Sequence, residues 1–212
     1  MNTFLLRLVA CLFVVVSSSS HAALYDRGNG LIYDDVLNIT WMQDANYAQT
    51  SGYDLDGQMT WADAKTWADQ LSYGGFDDWR LPSAGNAPAF GYNVTTGELG
   101  HMFYNNLGNT AGTSILGNVT FTDATLGGGA ESFLNVQSNA YWYGEEATPD
   151  TGIGGAFYTL DGSQPNGNGL HHSIYSWAVR AGDVSTVPVP AGAWLFGSAL
   201  AGLLVARRKN KK

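Results

Sequence analysis

Few side chains in this chain are of a kind that performs covalent chemistry. A hydrolase of the nucleophilic type needs an activated serine or a thiolate. No Gly-x-Ser-x-Gly elbow is present, and the single cysteine, Cys11, lies in an N-terminal apolar run. His101, His171 and His172 are too few and too scattered for a triad or a zinc site. On a strand the adjacent pair would face opposite ways, so a solvated loop suits it better. Asp54-Leu55-Asp56-Gly57 places two carboxylates on one side of a turn. An EF-hand loop wants glycine at its sixth position and a bidentate acid at its twelfth, where this chain has Lys65, so the acids read as turn chemistry before a helix. Asp77 and Asp78 are expected to satisfy the Arg80 guanidinium. What remains is non-covalent recognition, in which aromatic faces meet sugar rings and carboxylates or amides meet hydroxyls. Tyr143, followed by Glu145 and Glu146, is the aromatic and acidic group expected at the surface, whereas Trp61 and Trp177 fall at core-facing positions.

The element that must position such groups is the stretch 59–82, MTWADAKTWADQLSYGGFDDWRLP. Thr60 and Asp63 fit a helix-capping pattern, and Trp61, Ala64, Ala68 and Leu71 recur at helical spacing. Gly74-Gly75 supply the stop, and 76–81 alternates bulky with charged residues up to Pro82, which predicts a short strand. Upstream, two apolar segments flank Asn29-Gly30 and predict a β-hairpin over 24–34, with a strand at 37–41 and a short helix or turn at 43–48. Thr95 and Glu98 repeat the capping pattern ahead of Leu99, Met102, Phe103 and Leu107, a second helix. Residues 108–129 are rich in Gly, Thr and Asn without a period and read as a long exposed insertion. Strands are predicted at 133–136, 141–143, 156–160 and 175–180, the last with Tyr175, Trp177 and Val179 on a buried face. Two helices among runs of short antiparallel strands make an α+β domain.

Both ends of the chain look like addresses. Residues 1–22 combine Arg7, an apolar block and Ser20-His21-Ala22, the layout of a secretory signal peptide. Residues 189–206 are apolar for just long enough to form a transmembrane helix, followed by Arg207, Arg208, Lys209, Lys211 and Lys212, which the positive-inside rule would keep in the cytoplasm. One domain, residues 24–184, fits between them. With Cys11 removed alongside the leader, the exported form would have no disulfide, which points to a bacterial product. The chain carries −8 overall, but residues 24–183 hold all 18 acids against Arg27, Lys65, Arg80 and Arg180, a balance of −14. Phosphate would be repelled, so nucleic acid is not an expected partner.

Several segments carry a family resemblance: GYDLDGQMTWADAKTWADQLSYGGFDDWRLPS at 52–83, GLIYDD at 30–35, TWMQDANYA at 40–48, ELGHMFYNNLG at 98–108, NAYWYGEE at 139–146 and YSWAVRAGDV at 175–184. Together they resemble the Lcl-type C-terminal domain family, named for a collagen-like bacterial adhesin. The resemblance implies a C-type-lectin-like fold on a secreted or surface-displayed protein that adheres to polysaccharide or another surface polymer. Within 162–169, Gln164-Pro165-Asn166 is similar to the triplet with which calcium-dependent C-type lectins hold sugar hydroxyls, and this implies Gln164 and Asn166 as ligands of a possible Ca²⁺ ion. Val187-Pro188-Val189-Pro190-Ala191, the apolar span and the basic end with Arg207 and Arg208 resemble a PEP-CTERM sorting signal of the VPLPA type, which implies an exosortase as partner and an inner-membrane precursor released to the surface. A purely structural matrix component is the alternative. Arg80-Leu81-Pro82 also occurs in formylglycine-generating enzymes, but those require catalytic cysteines, so an enzyme of that or a hydrolytic kind is a distant third reading.

Overall fold

The computed structural model describes residues 23–85, 89–125, 127–148, 152–166 and 172–184. Within them the chain is α+β and mostly β. The hairpin expected at Asn29-Gly30 forms: β1 (Leu24–Asp26) pairs antiparallel with β2 (Leu31–Asp34), and both turn residues take positive φ, as a tight connection requires. Next come β3 (Ile39–Met42), the single-turn α1 (Tyr47–Thr50) and the two-residue β4 (Gln58–Met59). The central helix α2 (Trp61–Asp69) starts as its sequence predicts, with the Thr60 hydroxyl accepting from the Asp63 amide and Ala64, Trp67 and Ala68 buried beneath it.

Three expectations are corrected beyond this point. Gly74 and Gly75 do not stop α2, which ends five residues earlier; they make the tight turn between Tyr73 and Phe76. Residues 76–81 form no strand. Only Arg80 pairs with the sheet, exchanging 2.8 and 2.9 Å backbone bonds with Val179, and Pro82 has no amide to continue a ladder. The insertion expected at 108–129 contains β5 (Gly117–Thr122), which pairs with β6 (Ala130–Val136) as a two-stranded ribbon. In β5 Phe121 is buried and Val119, two residues earlier, packs half-buried against the core, an alternation of two apolar residues too short to stand out in so Gly- and Thr-rich a stretch.

The second helix, α3 (Glu98–His101), runs into a π-helical turn (Met102–Asn106); with the single-turn α1 the described residues hold three α-helices where two were expected. The remaining strands are β7 (Ala140–Glu146), β8 (Gly154–Tyr158), β9 (Ile174–Tyr175) and β10 (Val179–Ala181). They build two four-stranded sheets, β1-β2-β3-β10 and β4-β9-β7-β8, the latter with β7 and β9 parallel. The strand expected over 175–180 is therefore two strands in two sheets. Ser176, Trp177 and Ala178 between them are all buried instead of alternating, because this link crosses the interior. Trp177 marks the crossing: its ring lies 5.0 Å from Trp41 of β3, 5.0 Å from Phe133 of β6 and 5.9 Å from Tyr141 of β7, and its indole N–H donates to the Met42 carbonyl at 2.7 Å. One aromatic core thus joins both sheets and the ribbon.

Among the described residues no helix is long and apolar enough to cross a membrane. The signal peptide, the span 189–206 and the sorting residues Val187, Pro188, Val189, Pro190, Ala191, Arg207 and Arg208 lie outside the described residues.

Candidate functional site

An open cleft of about 530 Å³ runs between α2, the segment 80–83, the start of α3 and the end of β7. The helical repeat places Lys65 and Asp69 on one face of α2, and Arg80, Ser83, Glu98 and Glu145 form the floor. The floor is tightly bonded. Arg80 grips Glu98 with two parallel bonds of 2.8 and 2.7 Å and also donates to the Leu81 carbonyl, while Glu98 accepts the Ser83 amide at 2.7 Å. Glu145 accepts the Ser83 hydroxyl at 2.7 Å and the Ala84 amide at 2.8 Å. Ser83 is thereby fixed between two carboxylates, and no histidine is among the lining residues.

Of the anticipated ligand residues, Glu145 alone lines this cleft. Tyr143 was expected at the surface and is instead fully buried. The central β7 is flanked by β9 and β8 and covered on both faces, so Tyr141, Trp142 and Tyr143 are all interior. Burial pushes the Tyr143 phenol well above its ordinary value, and its hydroxyl donates to the Gln164 side-chain oxygen at 3.1 Å. Gln164 is turned inward at 3% exposure, its backbone paired with Gly91, whereas Asn166 is exposed. The two amides implied as a calcium-binding pair therefore do not share a surface. Glu146 is half-buried and engaged within the fold. Among the described residues no group of three or more histidine, cysteine or carboxylate side chains could hold a metal ion.

The remaining acids behave as turn and pairing residues. Asp54 accepts the amides of Asp56 and Gly57, and Asp56 accepts that of Gln58, the turn chemistry expected before α2. The partner expected for Arg80 is corrected: Asp78 binds Arg180 through two bonds of 2.7 and 2.9 Å, and Glu98 takes Arg80. His171 lies outside the described residues. His172 edges a smaller cleft of about 200 Å³ with Thr60, Trp61, Trp142 and Gly154. There Gly154 lies close against the Trp61 indole, whose N–H donates to the Tyr143 carbonyl at 2.8 Å and over whose ring the Lys65 ammonium lies 4.5 Å from the centre.

No family model matches the chain, and neither does any curated protein or solved structure. The site must be read from its own geometry. Sequence reasoning missed Ser83, Glu98 and the exposed loop residues Phe90 and Tyr92. The signal for Glu98 was present in its position at a helix start, where a carboxylate is favoured and is free to reach a neighbouring arginine.

Proposed function

We propose that the chain is an exported, non-catalytic protein of the cell surface or extracellular matrix, whose C-type-lectin-like domain binds polysaccharide. The supporting observation is the bonding of the cleft floor. Arg80, Glu98, Glu145 and Ser83 hold one another and nearby amides in fixed positions. Groups held this way recognise polar ligands by position, which supports a binding role. Export and exosortase sorting rest on the two terminal segments, with the membrane contact confined to the precursor. Because Gln164 faces inward, sugar binding in this reading needs no Ca²⁺.

A glycan array probed with the full chain, with and without EDTA, tests this. Retention on polysaccharide that persists in EDTA is the expected result. No retention under either condition would remove the binding function and leave the purely structural role.

A further inference from the structure

The aromatic residues first expected to meet sugar are interior, but a different set is not. Phe90, Tyr92, Leu116 and Leu160 are 49, 53, 66 and 54% exposed. They sit on three loops that are bonded to one another. Gly91 and Gln164 exchange two backbone bonds of 2.8 Å, and Ile115 and Gly112 donate to the carbonyls of Thr159 and Asp161 at 3.1 and 2.8 Å. Tyr104 ties the base together, donating to the Gly162 carbonyl at 2.6 Å and accepting the Asn93 amide at 3.0 Å. The Tyr92 ring is also pinned at its tip, its hydroxyl donating to Asp161 Oδ2 at 3.2 Å. Asp161 Oδ1 in turn accepts the amide and the hydroxyl of Ser163. Rings presented on loops this well braced lose little freedom when something lies against them. Four large apolar side chains left exposed on loops that are bonded to one another are the exception that points to a ligand.

We infer that this rim, centred on Phe90 and Tyr92, is a binding site for neutral polysaccharide. Pyranose rings would lay their C–H faces on the two aromatic rings, and their hydroxyls would donate to the Asp161 carboxylate. The inference rests on the polysaccharide-binding reading and names its ligand class. Charge separates neutral from acidic polymers. Residues 24–183 carry −14, and the arginines Arg27, Arg80 and Arg180 are each engaged by a carboxylate, so a chain of uronate or sulfate groups would meet net repulsion at a rim that itself contains Asp161.

Native affinity gels of the full chain in detergent, cast with amylopectin or hydroxyethylcellulose as neutral polymers and alginate as a polyanion, test this. The combined Phe90→Ala and Tyr92→Ala variant is expected to bind neutral polymer roughly tenfold more weakly, from the loss of two stacking contacts. Tyr92→Phe keeps the ring and should stay within about threefold of wild type, while Leu55→Ala, at an exposed apolar residue on a different loop, should bind as wild type does. Unchanged thermal transitions establish that the variants fold. Wild-type binding that survives the double substitution would overturn the site assignment alone, as would retardation by alginate only. A double variant that instead loses self-association or liposome binding, with its polymer binding intact, would assign the rim to a second copy or to lipid and also overturn it. A wild-type chain retarded by no polymer would remove both this site and the proposed function.

Discussion

His101 shows how much an interior polar side chain can do without lining a cleft. It is 7% exposed, Asn105 Nδ2 lies 3.1 Å from its Nδ1, and its Nε2 has no partner. The nitrogen of an asparagine amide can only donate, so the neutral ring accepts at Nδ1 and carries its proton on Nε2. Burial depresses its pKa below 6.5, against the upward pull of Asp34. As pH falls below 6.5 the unfolded chain takes up a proton that the folded chain resists, so stability is lost as pH drops through the folded value. Asp34 runs the other way. Desolvation raises its pKa despite bonds from Leu37, Asn106 and Val36, and its contribution is complete below 3.8 and lost as pH rises through its folded value. Thermal melts at about pH 7.5 and about pH 5.5 should therefore show wild type losing a few degrees more than His101→Gln. Equal losses would mean that the imidazole is not the titrating group.

At the scale of elements, α2 and β8 meet without a gap. A methyl group on Gly154 would lie 2.4 Å from two atoms of the Trp61 indole, and Trp61 cannot retreat without giving up its bond to Tyr143 and its contact with Lys65. Gly154→Ala should cost about 1–3 kcal/mol in urea denaturation, and most of that cost should vanish in a Trp61→Leu background, a coupling that a double-mutant cycle measures directly. Elements were legible in the sequence where local chemistry dictates them. Asn29-Gly30 announced the first hairpin and Thr60 the start of α2, because capping and positive-φ turns depend on neighbours in the chain. What tertiary contacts decide was not legible. Tyr143 followed by two acids looks like an exposed strand end, and only the placement of β7 between two other strands buries it. Residues 175–180 alternate like one strand, and only the Trp177 cluster reveals that they serve two sheets.

For the molecule as a whole, the address segments and the globular domain make separable claims. Replacing Arg207, Arg208 and Lys209 with alanine is expected to leave a larger, unprocessed precursor on immunoblots of cell fractions, with less protein displayed. Normal processing and display would end the sorting proposal without touching the sugar-binding one. The acidic balance and the α+β class could be read before any coordinates. The location of the rim could not, because Phe90, Leu116 and Leu160 are far apart in sequence and nothing in their local patterns shows that their loops bond to one another.

The crossing at Trp177 also has a mechanical side. If the protein is held by a tether beyond residue 184 while its ligand is pulled by flow, tension enters through β10, the edge strand whose three residues pair antiparallel with Ile39, Thr40 and Trp41. Where that pull runs across the ladder the strand peels like a zip, one bond after another, until the force reaches the indole wedged between the sheets. That side chain would act as the catch, setting the load at which the domain gives way.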